Sequence, residues 1–278
     1  MSAIKSYFKN EGRLSMLGLE CSEPSRFYCS AWQSNRSATP LLLWRMLLFL
    51  GSFGIVLTSM TMYGVRGKFG FWFIYLTHWG LTLNTLATGL AVAVSARCFL
   101  YGPISADLNL PWYVKSYWVF YNSAVPFAFL ITVFYWTVLY EAGFEEELNH
   151  GLDVAVHGLN SLLMFLLLVS SSHPSRLFHL YHPIIFGLIY VVFGALYYIA
   201  GGLDPSGNTW IYPVIHWADP GPTMIMVIIT AILLVSLHLA VVGLAAIRDA
   251  VASRFLRTST VRPVEEGMPL RSPIQTSV

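Results

Sequence analysis

The sequence predicts an all-α membrane protein, a polytopic bundle of six transmembrane helices. Of the 278 residues, 56% are hydrophobic and only 11% are charged, whereas soluble domains carry about 25% charged residues. The mean hydropathy is +0.61, and the apolar residues gather in runs long enough to cross roughly 30 Å of hydrocarbon. This composition excludes an ordinary soluble enzyme, a nucleic-acid-binding protein, a disordered chain and a disulfide scaffold.

Six apolar runs set the predicted boundaries of the spans. They cover residues 41–63, 72–96, 117–140, 152–172, 181–200 and 222–246. Each run is about 20 residues or longer and lacks the alternation of a membrane β-strand, so each predicts a helix. We therefore expect an N-terminal tail at 1–40, a transmembrane domain at 41–246 and a C-terminal tail at 247–278 that is disordered.

The distribution of basic residues predicts the orientation of the spans. Six crossings put both termini on the same side, and all but Arg66 and Lys68 of the 16 Lys and Arg residues fall on that side. Cytosolic loops carry the excess of Lys and Arg, so both termini are expected to be cytosolic, in the plasma membrane or an endomembrane. The sequon at Asn35 then lies in the cytosol and is expected to stay unglycosylated.

A polar stripe enters the fourth predicted span from the opposite, outer side. His150, Asp153, His157 and Asn160 follow one another at spacings that place them on one face of a helix. Polar side chains that faced lipid would have no hydrogen-bonding partner. We therefore expect this face to point into the bundle or toward a wet cavity.

The second span and the last outer loop bring further polar groups to the same half of the membrane. Thr77 lies at a depth similar to that of His157, and the outer loop carries Tyr212 and His216. A threonine hydroxyl beside an imidazole can act as a nucleophile, and Tyr212 could stabilise an oxyanion. Alternatively, Thr77 bonds a carbonyl of its own helix and has no catalytic role.

Other polar residues predict structure rather than chemistry. His150, Asp153 and His157 do not have the spacing of a zinc signature, so the sequence predicts no metal and no cofactor. Arg45 lies near the cytosolic end of the first span, where its long side chain is expected to reach the membrane surface. His173 and the neighbouring histidines are interpreted as parts of a structured loop.

Short motifs along most of the chain resemble those of the rolling stone family of metazoan membrane proteins. The matching pieces, in chain order, are Phe27-Tyr28-Cys29-Ser30-Ala31-Trp32-Gln33, Tyr75-Leu76-Thr77, Tyr135-Trp136, Leu139-Tyr140, His157-Gly158-Leu159-Asn160-Ser161, His173-Pro174-Ser175-Arg176, Phe178-His179, Gly201-Gly202, Gly207-Asn208, Ile211-Tyr212-Pro213 and Trp217. The resemblance implies a multi-pass membrane protein. It also implies a role in myoblast or cell–cell fusion during muscle development, with which the founding member of the family is associated.

The chain is more distantly similar to the androgen-induced membrane hydrolases, which cleave fatty acid esters of hydroxy fatty acids. Their intramembrane threonine follows an aromatic-leucine pair and corresponds to Thr77. Their catalytic histidine lies three residues after a His-Gly pair, and two registers give either Asn160 or Asp153 at that position. The departure matters because an asparagine cannot act as a general base.

Two functions therefore remain open. The first is a membrane protein without enzymatic activity that acts in cell fusion. The second is a hydrolase of fatty acid esters with Thr77 as nucleophile and His157 as base, and with His150, Asp153, Asn160, Tyr212 and His216 as candidate binding residues. A transporter is a weaker alternative, since no pair of interrupted helices is evident. Membrane lipids, including a fatty-acyl ester substrate, are the expected partners, and nucleic acid is not.

Overall fold

The computed structural model describes residues 5–6, 9, 13–35, 37–104, 109–142 and 149–260, with side chains up to Leu256. Six helices in this part of the chain are long and apolar enough to cross a membrane. They are α1 Thr39–Val65, α2 Leu76–Tyr101, α3 Trp112–Leu139, α4 His150–Ser170, α5 Leu177–Ile199 and α6 Pro220–Thr260. Because no named strand occurs in the described ranges, the prediction of an all-α, six-helix membrane protein is confirmed.

The six helices run alternately up and down, which gives the bundle two ends. The tail end is the end at which α1, α3 and α5 begin, and the far end is the end at which they finish. Helix α3 is the central helix, because 61% of its most apolar stretch is buried against α2, α4, α5 and α6. Its buried rings include Tyr117, Trp118 and Phe127, which form the middle of the main core cluster.

Helices α1 and α2 pack side by side because both carry a heptad-like buried face. Seven of the twelve buried residues of α2 recur at alternating steps of four and three: Thr77, Leu81, Asn84, Thr88, Ala91, Ser95 and Cys98. This period of 3.5 residues keeps one face turned toward a neighbouring helix over the full length of the span. Helix α2 ends at Tyr101 and is followed by Gly102, which has a φ of 83°. Glycine adopts such a positive φ at little conformational cost.

Several helix ends differ from the predicted ones. A 3₁₀ segment at Phe69–Ile74 occupies the predicted start of the second span, so α2 begins at Leu76. Helix α6 continues to Thr260, and residues 247–260 are therefore helical. Its 41 residues extend about 60 Å, roughly twice the hydrocarbon thickness, so charged residues in its last turns lie outside the membrane. The rest of the predicted disordered tail lies outside the described residues.

The N-terminal segment, residues 13–35 and 37–38, is packed against the tail end of the bundle. The side chain of Phe27 is fully buried in the main core, where its ring stacks on His173 at 5.3 Å between centroids. The indole of Trp32 donates to the carbonyl of Val169 at 2.7 Å. Ser172 bonds the carbonyl of Arg26, whose own Nε donates to the carbonyl of Ser172 at 2.8 Å.

The prediction that Arg45 reaches the membrane surface is wrong. Its side chain is fully buried and holds the N-terminal segment in place. The guanidinium donates to the carbonyl of Phe27 at 2.7 Å, to Ser95 Oγ at 2.8 Å and to the Tyr117 hydroxyl at 3.2 Å. Arg45 is shielded from solvent because the N-terminal segment, through Phe27, covers the tail end of α1, while α2 and α3 supply the other two acceptors.

His173 lies in the same polar layer, between α4 and α5. Its Nε2 accepts the Tyr117 hydroxyl at 2.8 Å, and its carbonyl accepts a bond from Arg248 at 3.1 Å. Burial, with the positive charges of Arg45, Arg248 and Arg26, holds the pKa of His173 well below its ordinary value. His173 therefore stabilises this loop as a buried, neutral imidazole that accepts the hydrogen bond of Tyr117.

Candidate functional site

The candidate site lies in the far half of the bundle, where two helices are locally widened. Helix α3 contains a π-helical turn at Tyr135–Leu139, and α4 contains one at Ala155–Leu159. Such turns insert an extra residue and are frequent at functional sites. Here they bring the rings of Tyr135 and His157 into parallel contact, with centroids 3.4 Å apart and planes 5° from parallel.

A buried carboxylate fixes both rings. The Tyr135 hydroxyl lies 2.7 Å from each oxygen of Asp153, to which it donates. His157 Nδ1 lies 3.0 Å from Asp153 Oδ1, one helical turn away on α4. Because the carboxylate accepts at Nδ1, the ring proton of a neutral His157 lies on that nitrogen. Asp153, His157 and Tyr135 thus form one polar cluster inside an apolar bundle.

Beside this cluster, α3, α5 and α6 enclose an apolar cavity of about 160 Å³. Its walls include Phe127, Leu130, Ile184 and Leu234. Leu188 of α5 and Ala231 of α6 line it and are also exposed on the outside of the bundle. The cavity therefore opens sideways, between α5 and α6, toward the lipid-facing surface.

Hydroxyl groups lie at the far end of this cavity. Thr77, in the first turn of α2, lines it together with Tyr135 and Tyr212. The Tyr212 hydroxyl accepts a bond from the Leu76 amide at 2.9 Å, which satisfies one of the amides that the start of a helix leaves unpaired. Tyr190 donates to the carbonyl of Ile74 at 2.8 Å and fixes the chain just before α2. The loop after α5 thus positions Thr77 at the cavity.

The cavity does not bring Thr77 and His157 together on one wall. No described residue of α4 contributes to its lining, so His157 is not on its wall. Tyr135 is the intervening group, since its ring faces the cavity and also covers His157. A helix wheel cannot anticipate this arrangement, because the covering ring comes from α3.

The other predicted site residues are separated from the cavity. His150 is exposed at the start of α4. His216 lies on the loop after α5, where its Nε2 is 3.0 Å from Thr209 Oγ1. Asn160 is buried one turn deeper than His157, and its side-chain oxygen accepts a bond from the Asn84 amide of α2. The buried amide pair connects the two helices in the middle of the membrane.

Sequence reasoning did not assign Tyr135 or Asn84 to the site. The available signal for Tyr135 was its place in a matching motif, and for Asn84 it was a lone amide in an apolar run. His78 forms a separate buried group, with Nδ1 2.7 Å from the Trp72 carbonyl and its ring stacked on that indole at 4.6 Å. Within the described ranges, no three His, Cys, Asp or Glu side chains converge as metal ligands would.

Comparison with known proteins gives the relationship of the chain. A family model described as "Protein rolling stone" matches residues 2–261. The chain belongs to the rolling stone family. The Drosophila melanogaster protein named rolling stone is 27% identical over 227 residues, which cover 78% of this chain and 81% of that relative. No solved structure matches the chain significantly.

The range matched by the rolling stone family contains both features described above. It includes the N-terminal segment with Phe27, and it includes the Thr77 cavity and the Tyr135–Asp153–His157 cluster. The N-terminal segment therefore lies within the range that the family model matches. Membership of this family, together with six apolar helices, identifies an integral multi-pass membrane protein.

Proposed function

We propose that this chain acts in cell–cell fusion of the myoblast type, and that it does so by binding an acyl lipid between α5 and α6. The role in fusion rests on the resemblance to the rolling stone family. The lipid rests on one observation, the apolar cavity of about 160 Å³ that opens to the lipid-facing surface. A dry, apolar cavity of about 150 Å³ in another protein holds a benzene-sized ligand, so this space suits a segment of an acyl chain.

The geometry supports a lipid-binding role better than a mechanical one. The connections at the far end are short in sequence: residues 66–75, 140–149 and 200–219 join the helices there. A protein that pulls two membranes together needs surface outside the bilayer to reach the opposite cell. A protein that binds lipid needs an accessible space within the bilayer, and the opening between Leu188 and Ala231 meets this requirement.

The proposal is tested in myoblasts of the source organism from which the gene has been deleted. Deletion is expected to lower the fraction of nuclei in fused cells, and the wild-type chain to restore it. Ala231→Phe, which fills the mouth of the cavity, is expected to fail, while Ile232→Phe on the neighbouring lipid-facing position (62% exposed) restores fusion. Undiminished fusion after deletion would contradict the role in fusion. Full rescue by Ala231→Phe would contradict the requirement for lipid binding in the cavity.

A fatty-acid-ester hydrolase is the second candidate, favoured by the Thr77 hydroxyl at the polar end of the cavity. An ester bond at that end would lie beside the hydroxyl, with its acyl chain in the apolar part. Activation of the hydroxyl needs a base. His157 stands behind the Tyr135 ring, so it would reach Thr77 only after that ring turns aside.

Turnover of a fluorogenic acyl ester by the purified chain tests this second candidate. Thr77→Ala and His157→Ala are both expected to abolish turnover. Thr230→Ala is the matched control, since Thr230 lines the same cavity but bonds the carbonyl of Met226 in its own helix at 2.8 Å. Equal turnover by the wild type and all three variants, or no turnover by the wild type, would contradict the hydrolase function.

A further inference from the structure

We infer that the lipid held by this cavity is an uncharged acyl ester or alcohol, such as a monoacylglycerol, and not a free fatty acid. This inference rests on the proposed lipid-binding function and adds the chemical class of the ligand. It follows from which groups line the cavity and from which charged group lies next to it.

The lining offers no cation to a fatty carboxylate. Among the described residues that line the cavity there is no Lys, Arg or His, and the hydroxyl groups at its far end belong to tyrosine and threonine. A carboxylate taken out of water without a cation is costly, since a buried ion needs a partner of opposite charge. An ester or alcohol group carries no net charge, so its transfer out of water costs far less than that of a carboxylate.

A buried carboxylate lies close to one wall of the cavity. Asp153 accepts the hydroxyl proton of Tyr135 at 2.7 Å, at the tip of that side chain, and Tyr135 lines the cavity. This proton points away from the cavity, toward Asp153. A fatty carboxylate placed against Tyr135 would therefore have a second carboxylate at the hydroxyl end of that side chain, where the low dielectric leaves like charges poorly screened.

One amide at the start of α2 is already engaged. The first amides of a helix can attract an anion, but the Leu76 amide donates to the Tyr212 hydroxyl at 2.9 Å. His157, the partner of Asp153, keeps its Nδ1 within 3.0 Å of that carboxylate and does not line the cavity. The described lining therefore offers no cation to a carboxylate, and this favours a neutral ligand.

The opening of the cavity is also suited to such a ligand. Leu188 and Ala231 border it in the middle of the helices, whereas Thr77 and Tyr212 lie at the far end. An acyl lipid that enters sideways can therefore keep its chain at mid-depth and its polar group near the membrane surface. This is the orientation that the lipid already has in the bilayer, so binding requires no inversion of the molecule.

The test uses two photoreactive probes with the same acyl chain, one a monoacylglycerol and the other a free fatty acid. The full chain is purified into nanodiscs of an uncharged phospholipid at pH 8, and labelled peptides are mapped. The monoacylglycerol probe is expected to label peptides around Leu188 and Ala231 at least tenfold more than the acid. Ala231→Phe is expected to lose this labelling, and Ile232→Phe to keep it.

A charge placed in the cavity gives a second readout. Val227 lines the cavity close to its far end, so Val227→Lys supplies the missing cation. This variant is expected to raise labelling by the acid severalfold, with Val227→Met as the control of similar length. Labelling of the wild type by neither probe would overturn the proposed lipid-binding function. Labelling by the acid as strong as that by the monoacylglycerol, with no gain from Val227→Lys, would overturn the charge inference alone.

Discussion

Replacement of His173 by glutamine should remove part of the pH dependence of stability. His173 is a fully buried residue whose Nε2 accepts the Tyr117 hydroxyl at 2.8 Å, within a layer that also holds Arg26, Arg45 and Arg248. Protonation would remove this acceptor and would place a fourth cation among three. Glutamine keeps a side-chain oxygen that can accept the tyrosine proton, but it does not titrate.

The size of this pH dependence follows from the difference in the pKa of His173 between the folded and the unfolded chain. Burial and the three arginines lower the pKa of folded His173 well below its ordinary value of 6.5. As the pH falls, the unfolded chain therefore takes up a proton on this histidine before the folded chain does. The folded state loses stability from about pH 6.5 downward, until the pH reaches the lowered pKa of folded His173. Between pH 7.5 and 5.5, this single group should cost on the order of 1 kcal/mol, roughly a factor of five in the unfolding equilibrium.

The assay is unfolding of the purified chain in mixed detergent and SDS at the two pH values, followed by tryptophan fluorescence. The loss of unfolding free energy between pH 7.5 and 5.5 is expected to be smaller in His173→Gln than in the wild type, by on the order of 1 kcal/mol. Taking the difference between the two proteins cancels the other titrating groups.

An equal loss in wild type and His173→Gln would refute the reasoning. It would mean that His173 is not a neutral, buried acceptor, or that the N-terminal segment does not cover it in the isolated protein. The second explanation has its own check, because Phe27→Ala removes the ring that stacks on His173. That variant should then show the same small pH dependence as the wild type.

Three further outcomes are expected. Arg45→Met should lower the free energy of unfolding by about 3–5 kcal/mol, since it leaves buried acceptors unpaired, and Arg45→Lys should lose less in the same SDS titration. Gly202→Ala should cost about 1–3 kcal/mol of thermal stability, because the added methyl would overlap the Tyr197 ring, whereas Gly54→Ala meets no neighbour. Asn35 should carry no glycan on a gel after expression in eukaryotic cells, and a glycosylated Asn35 would contradict cytosolic termini.

The sequence alone determined the membrane architecture. The lengths and apolarity of the six runs predicted the six helices, because a span must satisfy its backbone hydrogen bonds internally and be about 20 residues long. The ordered motifs around Thr77, His157 and Tyr212 pointed to the rolling stone family, which the family match confirms. These features are local, in the sense that each is encoded within one stretch of the chain.

The tertiary structure decided which polar groups meet. Helical periodicity placed His157 and Asp153 on one face, and they do lie together. Periodicity within α4 carries no information about the ring from α3 that covers them, so the separation of His157 from the Thr77 cavity could not be predicted. Likewise, the burial of Arg45 depends on a carbonyl 18 residues earlier, that of Phe27. Contacts between distant segments follow from packing of the whole bundle, whereas spans follow from the solvent preference of each segment by itself.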